Sequence, residues 1–271
     1  MGQMKLSIII PYYREPYLDR TIQSVRENTT NVEILPEDGR NGMRSAINSG
    51  LAKAGGDYVM KLDAHCIVCK DFDRIAEDCQ ENWFMAPRRY SLHEETWTRD
   101  EEWPIRDYHY LTFPGTADTT YGHSLQVANW PKTGEAEIDD TMTIQGSCWV
   151  ANRKYFMEHV GYLDDRPETY GTMAQEQQEE CLKYWLGGGE VKVNKKYWYA
   201  HLQKRGYHYK KGVFSHRNKK NAQTIYSNEW GTKHWMNNEE PGMIHKFEWL
   251  VDKFWPLPDW PENWREQWPQ T

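Results

Sequence analysis

The sequence predicts an α/β protein with a mostly parallel central sheet, flanking helices and an aromatic-rich C-terminal extension. Two patterns predict it. β-branched or apolar runs alternate with segments of helical period, and those helices are about three turns long, enough to cross back over a sheet covered on both faces. In addition, "VMKLDAHCIV" at residues 59–68 reads as a buried strand that ends on an acid and a histidine.

In chain order, "KLSIII" (5–10) is a short strand closed by "PYYREPY", and "YLDRTIQSVREN" follows with Leu18, Ile22 and Val25 at helical spacing. "NVEIL" is a second strand, stopped by "PEDGRNG". "MRSAINSGLAKAGG" is a helix with apolar positions at Met43, Ala46, Ile47 and Leu51 and a Gly-Gly stop. The strand "YVMKLDAHCIV" comes next, read as continuous. Residues 87–140 are polar and rich in Tyr, Trp and Pro without a sustained period, which predicts long loops and edge strands around a site. "TMTIQGSCWVANRKYFMEHVG" gives a strand through Trp149 and Val150 and a short helix. A helix over Ala174–Leu186 ends in three glycines and leads into another strand. From residue 230, tryptophans stand among five prolines, and seven of the chain's 14 tryptophans lie between Trp230 and Trp268. There is no internal repeat.

Composition narrows the class. The 271 residues suffice for a sizeable core, the net charge is −7, and no apolar window approaches a membrane span. A basic nucleic-acid binder along its whole length is excluded. "MGQMKLSIII" lacks a signal peptide's long apolar region, so a cytoplasmic location is expected. Five cysteines (Cys66, Cys69, Cys79, Cys148 and Cys181) are an odd, sparse set that predicts reduced thiols.

Ligands of open parallel sheets bind at the carboxyl ends of the strands, where Asp63 and His65 stand. Two residues apart on an ideal strand, they point to one side and can share a divalent ion such as Mn²⁺. The alternative is a capping Asp and a hydrogen-bonded His. Zinc at "HCIVC" would need a second ligand pair, and only Cys79 is near, so core thiols are expected. His201 ends a second strand-like run, "KKYWYAH", and is a third candidate ligand.

"LSIIIPYYREPYLDRTIQSV", "GMRSAINSGLAKAGGDYVMKLDAHC", "IQGSCWVANRKYF" and "EQQEECLKYWLGGGEV", in this order, resemble the GT-A glycosyltransferases of family 2, especially the branch similar to polypeptide N-acetylgalactosaminyltransferases. The resemblance covers about residues 5–205. It implies a Rossmann-like GT-A domain over 1–229, with 230–271 as a Trp/Pro-rich extension packed on it. It also implies Mn²⁺ (or Mg²⁺) on Asp63, His65 and His201, and a UDP-sugar donor. Carried over singly, Glu15, Gly42 and Arg44 match positions near the nucleotide, and Gln145, Gly146 and Ser147 match a segment lining the sugar pocket. Glu176 matches an acid near donor sugar and acceptor, with Glu179 at family spacing as the other candidate catalytic acid.

Two departures matter. Inverting members carry an Asp base where this chain has Gln177, which cannot accept a proton at neutral pH, so retention of configuration is favoured. The nucleobase loop over 31–42 is compressed, with Asp38 as its candidate contact.

Between Lys192 and Lys220 stand ten Lys or Arg and no Asp or Glu, interleaved with aromatics, the composition of a nucleic-acid groove. The other reading is a lid over the donor diphosphate. Chains with "DAHC", "RRYSL", "QGSCW" and "NKKYWYAH" also resemble bacteriophage proteins. That resemblance implies a 5-hydroxymethylpyrimidine base in DNA as acceptor and no membrane partner. A polysaccharide or protein hydroxyl is the competing acceptor, and a non-catalytic sugar- or nucleic-acid-binding module is the competing class.

Overall fold

A computed structural model describes residues 5–114, 125–166, 175–203 and 233–267. In chain order the strands are β1 (Leu6–Tyr12), β2 (Val32–Asp38), β3 (Tyr58–Leu62), β4 (Cys66–Val68), β5 (Trp83–His93), β6 (Thr98–Asp100), β7 (His109–Leu111), β8 (Val127–Asn129), β9 (Ile138–Asp140), β10 (Cys148–Asn152) and β11 (Glu190–His201). The helices are α1 (Leu18–Asn28), α2 (Met43–Lys53), α3 (Ile75–Asp78), α4 (Arg153–His159), α5 (Glu176–Leu186), α6 (Lys233–Met236) and α7 (Phe247–Phe254). The central sheet has the order β2-β1-β3-β10-β5-β11-β4, with β6 on β5 and β9 on β11, and β7 and β8 form a separate ribbon. β1, β2, β3, β5 and β11 run the same way; β10 and β4 run against them. The sheet is therefore mostly parallel, as expected.

Burial on both faces explains the apolar runs. Ile9, Val59, Phe84, Trp149 and Val191 point into one core with α2, α4, α5 and α7. Ile8, Ile10, Met60, Leu62, Met85 and Val150 point into the other with α1 and the segment around α3. Gly50 lets α2 lie directly on β1, because a Cβ there would come within 2.4 Å of Ile9 Cγ2.

Three expectations need correction. "YVMKLDAHCIV" is not one strand: β3 ends at Leu62, the chain turns through Asp63–His65, and β4 pairs antiparallel with β11. β2 runs on through Pro36 to Asp38, which an edge strand tolerates. Residues 87–93 belong to β5, a central strand. Pro87 cannot donate to the ladder, and the partner strand slips beside it: Asn194 pairs with Pro87 but Trp198 with Arg88, leaving Lys195, Lys196 and Tyr197 as a bulge.

The C-terminal segment packs into the same core as α5. Trp235, Phe247, Leu250, Phe254, Leu257, Trp260 and Trp264 join that cluster. Trp260 Nε1 donates to Leu111 O (2.7 Å), and the Tyr110 hydroxyl donates to Asp259 (2.6 Å). Among the described residues, no helix is long and apolar enough to cross a membrane.

Candidate metal centre and adjoining cavity

Backbone hydrogen bonds bring three separate segments to the carboxyl end of the sheet. The Asp63 N–H donates to Ser147 O (2.8 Å), and the Leu202 N–H donates to His65 O (3.1 Å). His201, the last residue of β11, pairs with Cys66 of β4. Ligand atoms of Asp63, His65 and His201 consequently all lie within 4.8 Å of one another. His201 Nε2 is 3.0 Å from Asp63 Oδ2. Neighbouring ligands of an octahedral ion with bonds near 2.1 Å are about 3 Å apart, so one carboxylate and two imidazoles at this spacing fit a Mn²⁺- or Mg²⁺-sized ion.

Each of these side chains has a charged group close behind it. His65 Nδ1 lies 3.2 Å from Glu15 Oε2, which leaves Nε2 for a metal. Arg89 Nη2 donates to His201 Nδ1 (3.2 Å), so the proton of the neutral ring sits on Nε2, which donates to Asp63 Oδ2. Lys61 Nζ donates to Asp63 Oδ1 and to Gly146 O. Burial pushes the Asp63 carboxyl up, but Lys61 and then the His201 hydrogen bond outweigh it and hold it well below the usual carboxylate range. Burial pushes the His201 imidazole down to about 3, against the pull of Asp63, so the ring is neutral, the form that binds metal.

Beside the metal group lies a cavity of about 140 Å³ between α2, the end of β3, the loop before β10 and the start of α5. Asp63 lines it together with Gln145, Gly146, Ser147 and Glu176, so these predicted residues do converge. Met43, Ile47, Lys61, Trp149, Gln177 and Glu180 complete the wall. Gly146 lets the Gln177 side chain lie against the loop, since a Cβ would sit 2.8 Å from Gln177 Oε1. The buried Ser147 hydroxyl is 2.6 Å from Tyr199 OH, which ties the loop to β11.

Besides Glu15 and the two histidines at the metal group, four predicted residues lie outside the cavity wall. Arg44 is wholly buried and forms an ion pair with Glu179 Oε2 at 2.5 Å, where both side chains are at most 3% exposed. Arg44 also donates to Asp164 O (3.2 Å), and Lys183 Nζ donates to Glu179 Oε1 (2.8 Å). Arg44 thus ties α2 to α5, with Glu179 as its counter-ion. Asp38, at the exposed end of β2, accepts from the Arg40 backbone (2.9 Å) and side chain (2.8 Å). Gly42 takes φ +109° where the chain turns into α2.

Sequence reasoning missed Lys61, Arg89 and Glu180. Lys61 had a signal, being a cation inside an apolar run and two residues before Asp63. In the basic segment, residues 204–220 lie outside the described residues. The described part uses its lysines internally: Lys192 on Asp140 (2.6 Å), Lys195 on Gly134 O (2.6 Å) and Tyr108 OH (3.1 Å), Lys196 near Asp78 (3.4 Å). Tyr197 and Tyr199 are buried, so neither offers a stacking face. All five cysteines are buried free thiols, as expected.

No family model matches the chain, and no curated protein matches it. Among solved structures, the chain is similar to GalNAc-T7, crystallised with UDP, GalNAc and Mn²⁺, at 17% identity and TM-score 0.57 over 75% of this chain and 44% of that one. It also matches S. aureus TarS 1-349 in complex with UDP-GlcNAc, at 14% identity and TM-score 0.44 over 78% and 61%. The chain thus spans less than half the length of the GalNAc-T7 chain. The fold is that of the GT-A glycosyltransferases.

Proposed function

We propose that this chain is a metal-dependent glycosyltransferase that moves a sugar from a UDP-sugar to an acceptor hydroxyl. The observation that carries the proposal is the Asp63, His65 and His201 group at the carboxyl end of a GT-A sheet, opening on a carboxylate-lined cavity. These three residues would hold Mn²⁺ or Mg²⁺, which when bound neutralises a diphosphate leaving group. Glu15 lies beside the His65 imidazole, Arg89 donates to that of His201, and Lys61 keeps Asp63 ionised. We assign Glu15, Asp38 and Gly42, near the carboxyl ends of β1 and β2, to the nucleotide side.

Asp63 belongs to both the metal group and the cavity wall, so a sugar attached to the diphosphate enters the cavity. There Glu176 is the carboxyl we assign to the transferred sugar or the incoming hydroxyl. Gln177, on the same wall, cannot take the acceptor proton, which supports a retaining outcome with attack and departure on one face. For the acceptor we propose a 5-hydroxymethylpyrimidine in DNA. Its support is the seven Lys and Arg from Lys204 to Lys220. Lys192, Lys195 and Lys196 are spent within the fold and add nothing to it.

The test is transfer from radiolabelled nucleotide sugars, with Mn²⁺, onto hydroxymethylated and unmodified DNA. Label on hydroxymethylated DNA alone supports donor class and acceptor together. Metal-dependent donor hydrolysis without DNA labelling keeps the enzyme class and moves the acceptor to a polysaccharide or protein hydroxyl. Absence of both transfer and hydrolysis overturns the proposal.

A further inference from the structure

Helix α5 places a second carboxyl on the cavity wall, one turn beyond Glu176. Glu180 is wholly buried and lines the cavity with Glu176, Gln177 and Gly146. Among the described residues, no group hydrogen-bonds either of its oxygens. The adjacent Glu179, by contrast, is satisfied by Arg44 and Lys183. A buried carboxyl without a partner is costly, and a leucine would fill a purely structural position more cheaply. Burial, reinforced by Glu176, pushes the Glu180 carboxyl well above the usual range. Burial thereby favours the uncharged acid, which offers one O–H donor and acceptor oxygens.

The cavity fixes what it meets. At about 140 Å³ it is too small for a nucleotide, while Asp63 on its wall marks where a metal-bound diphosphate would lie. The moiety that reaches Glu180 is then the sugar.

We propose that Glu180 is a specificity-determining residue for the donor sugar, pairing with a substituent that both donates and accepts a hydrogen bond: a ring hydroxyl or an acetamido group. This rests on the reading of the chain as a UDP-sugar transferase. The carboxyl makes no covalent bond and transfers no proton.

The experiment compares the full chain with Glu180→Gln and Glu180→Leu in Mn²⁺. Calorimetry gives Kd for UDP, UDP-glucose, UDP-galactose, UDP-GlcNAc and UDP-GalNAc, with circular dichroism to verify folding. UDP, which lacks the sugar, should bind all three proteins within about twofold. The preferred UDP-sugar should lose about tenfold or more in Glu180→Leu, with selectivity among the four sugars collapsing, and less in Glu180→Gln, which keeps a donor and an acceptor. A wild-type preference for the two N-acetyl sugars identifies the acetamido group as the partner; a preference for glucose or galactose identifies a hydroxyl. An unchanged ratio of UDP-sugar to UDP affinity in the folded variants, Glu180→Gln sufficing if Glu180→Leu does not fold, overturns the inference and leaves the transferase reading standing. Failure of wild type to bind UDP or any UDP-sugar overturns the reading, and this inference with it.

Discussion

Replacing Arg44 with Met should unfold the protein at a markedly lower temperature while leaving UDP binding by the surviving folded fraction unchanged. The guanidinium is fully buried and its partner Glu179 is 3% exposed, so removing the cation strands a carboxylate in the core between α2 and α5. Breaking a buried pair from one side costs about 3–5 kcal/mol. Lys183, 2.8 Å from the other Glu179 oxygen, keeps part of the compensation, which places the loss near the lower end, about 3 kcal/mol. For a chain of this size that is a fall of roughly 6–12 °C in Tm. The double variant Arg44→Met/Glu179→Leu removes the stranded charge with its partner and should recover most of the loss, giving a coupling of about 2 kcal/mol in a double-mutant cycle. The assay is urea unfolding followed by far-UV circular dichroism, with UDP titrated calorimetrically below the transition. Additive single and double effects, or lost UDP affinity with unchanged stability, would refute the structural role and return Arg44 to the nucleotide.

His65→Ala and His201→Ala should each weaken Mn²⁺ binding by 10-fold or more, read by electron paramagnetic resonance; undiminished affinity in both would mean the metal is held elsewhere. Gly146→Val should displace Gln177 and narrow the cavity, reducing kcat/KM for the sugar donor about tenfold while UDP affinity stays level; equal loss of both would point to a general distortion of the loop. Glu180 should give stability a pH dependence. Its folded carboxyl is raised, whereas the unfolded one titrates near 4.3, so above about pH 4 the native state holds the extra proton. Its contribution is full below that pH and is lost as pH rises towards the folded value, at up to about 1.4 kcal/mol per pH unit. Glu180→Gln has no such proton and should flatten that part of the curve; parallel curves for the two proteins would count against a buried acid.

Asp63, His65 and His201 were legible in sequence because each stands where an apolar run stops, and strand ends are where such sheets bind ligands. The turn that joins Asp63 to His65 was not, since no glycine or proline interrupts "LDAHC". β5 was hidden by Pro87 and two arginines, whose acceptability depends on a bulge in a strand more than 100 residues later. Arg44 and Glu179 are 135 positions apart, so nothing local reveals that their charges cancel in the core. The lysines of β11 likewise read as a free basic run because their partners, Asp78, Gly134 and Asp140, arrive from other parts of the chain.

The slip between β5 and β11 gives the metal group a dependence on odd and even. Asn194 and His201 are seven residues apart, so simple alternation would send them to opposite faces of the sheet. The bulge at Lys195, Lys196 and Tyr197 inserts an odd number of unpaired residues and inverts the phase, so that Asn194 beside Pro87 and His201 beside Ser91 share a face with Arg89. A deletion in the bulge that slips the downstream pairs by one residue would turn the imidazole away from Asp63; a slip of two would not. Insertions and deletions at this point therefore act on the ligand set by their parity more than by their size.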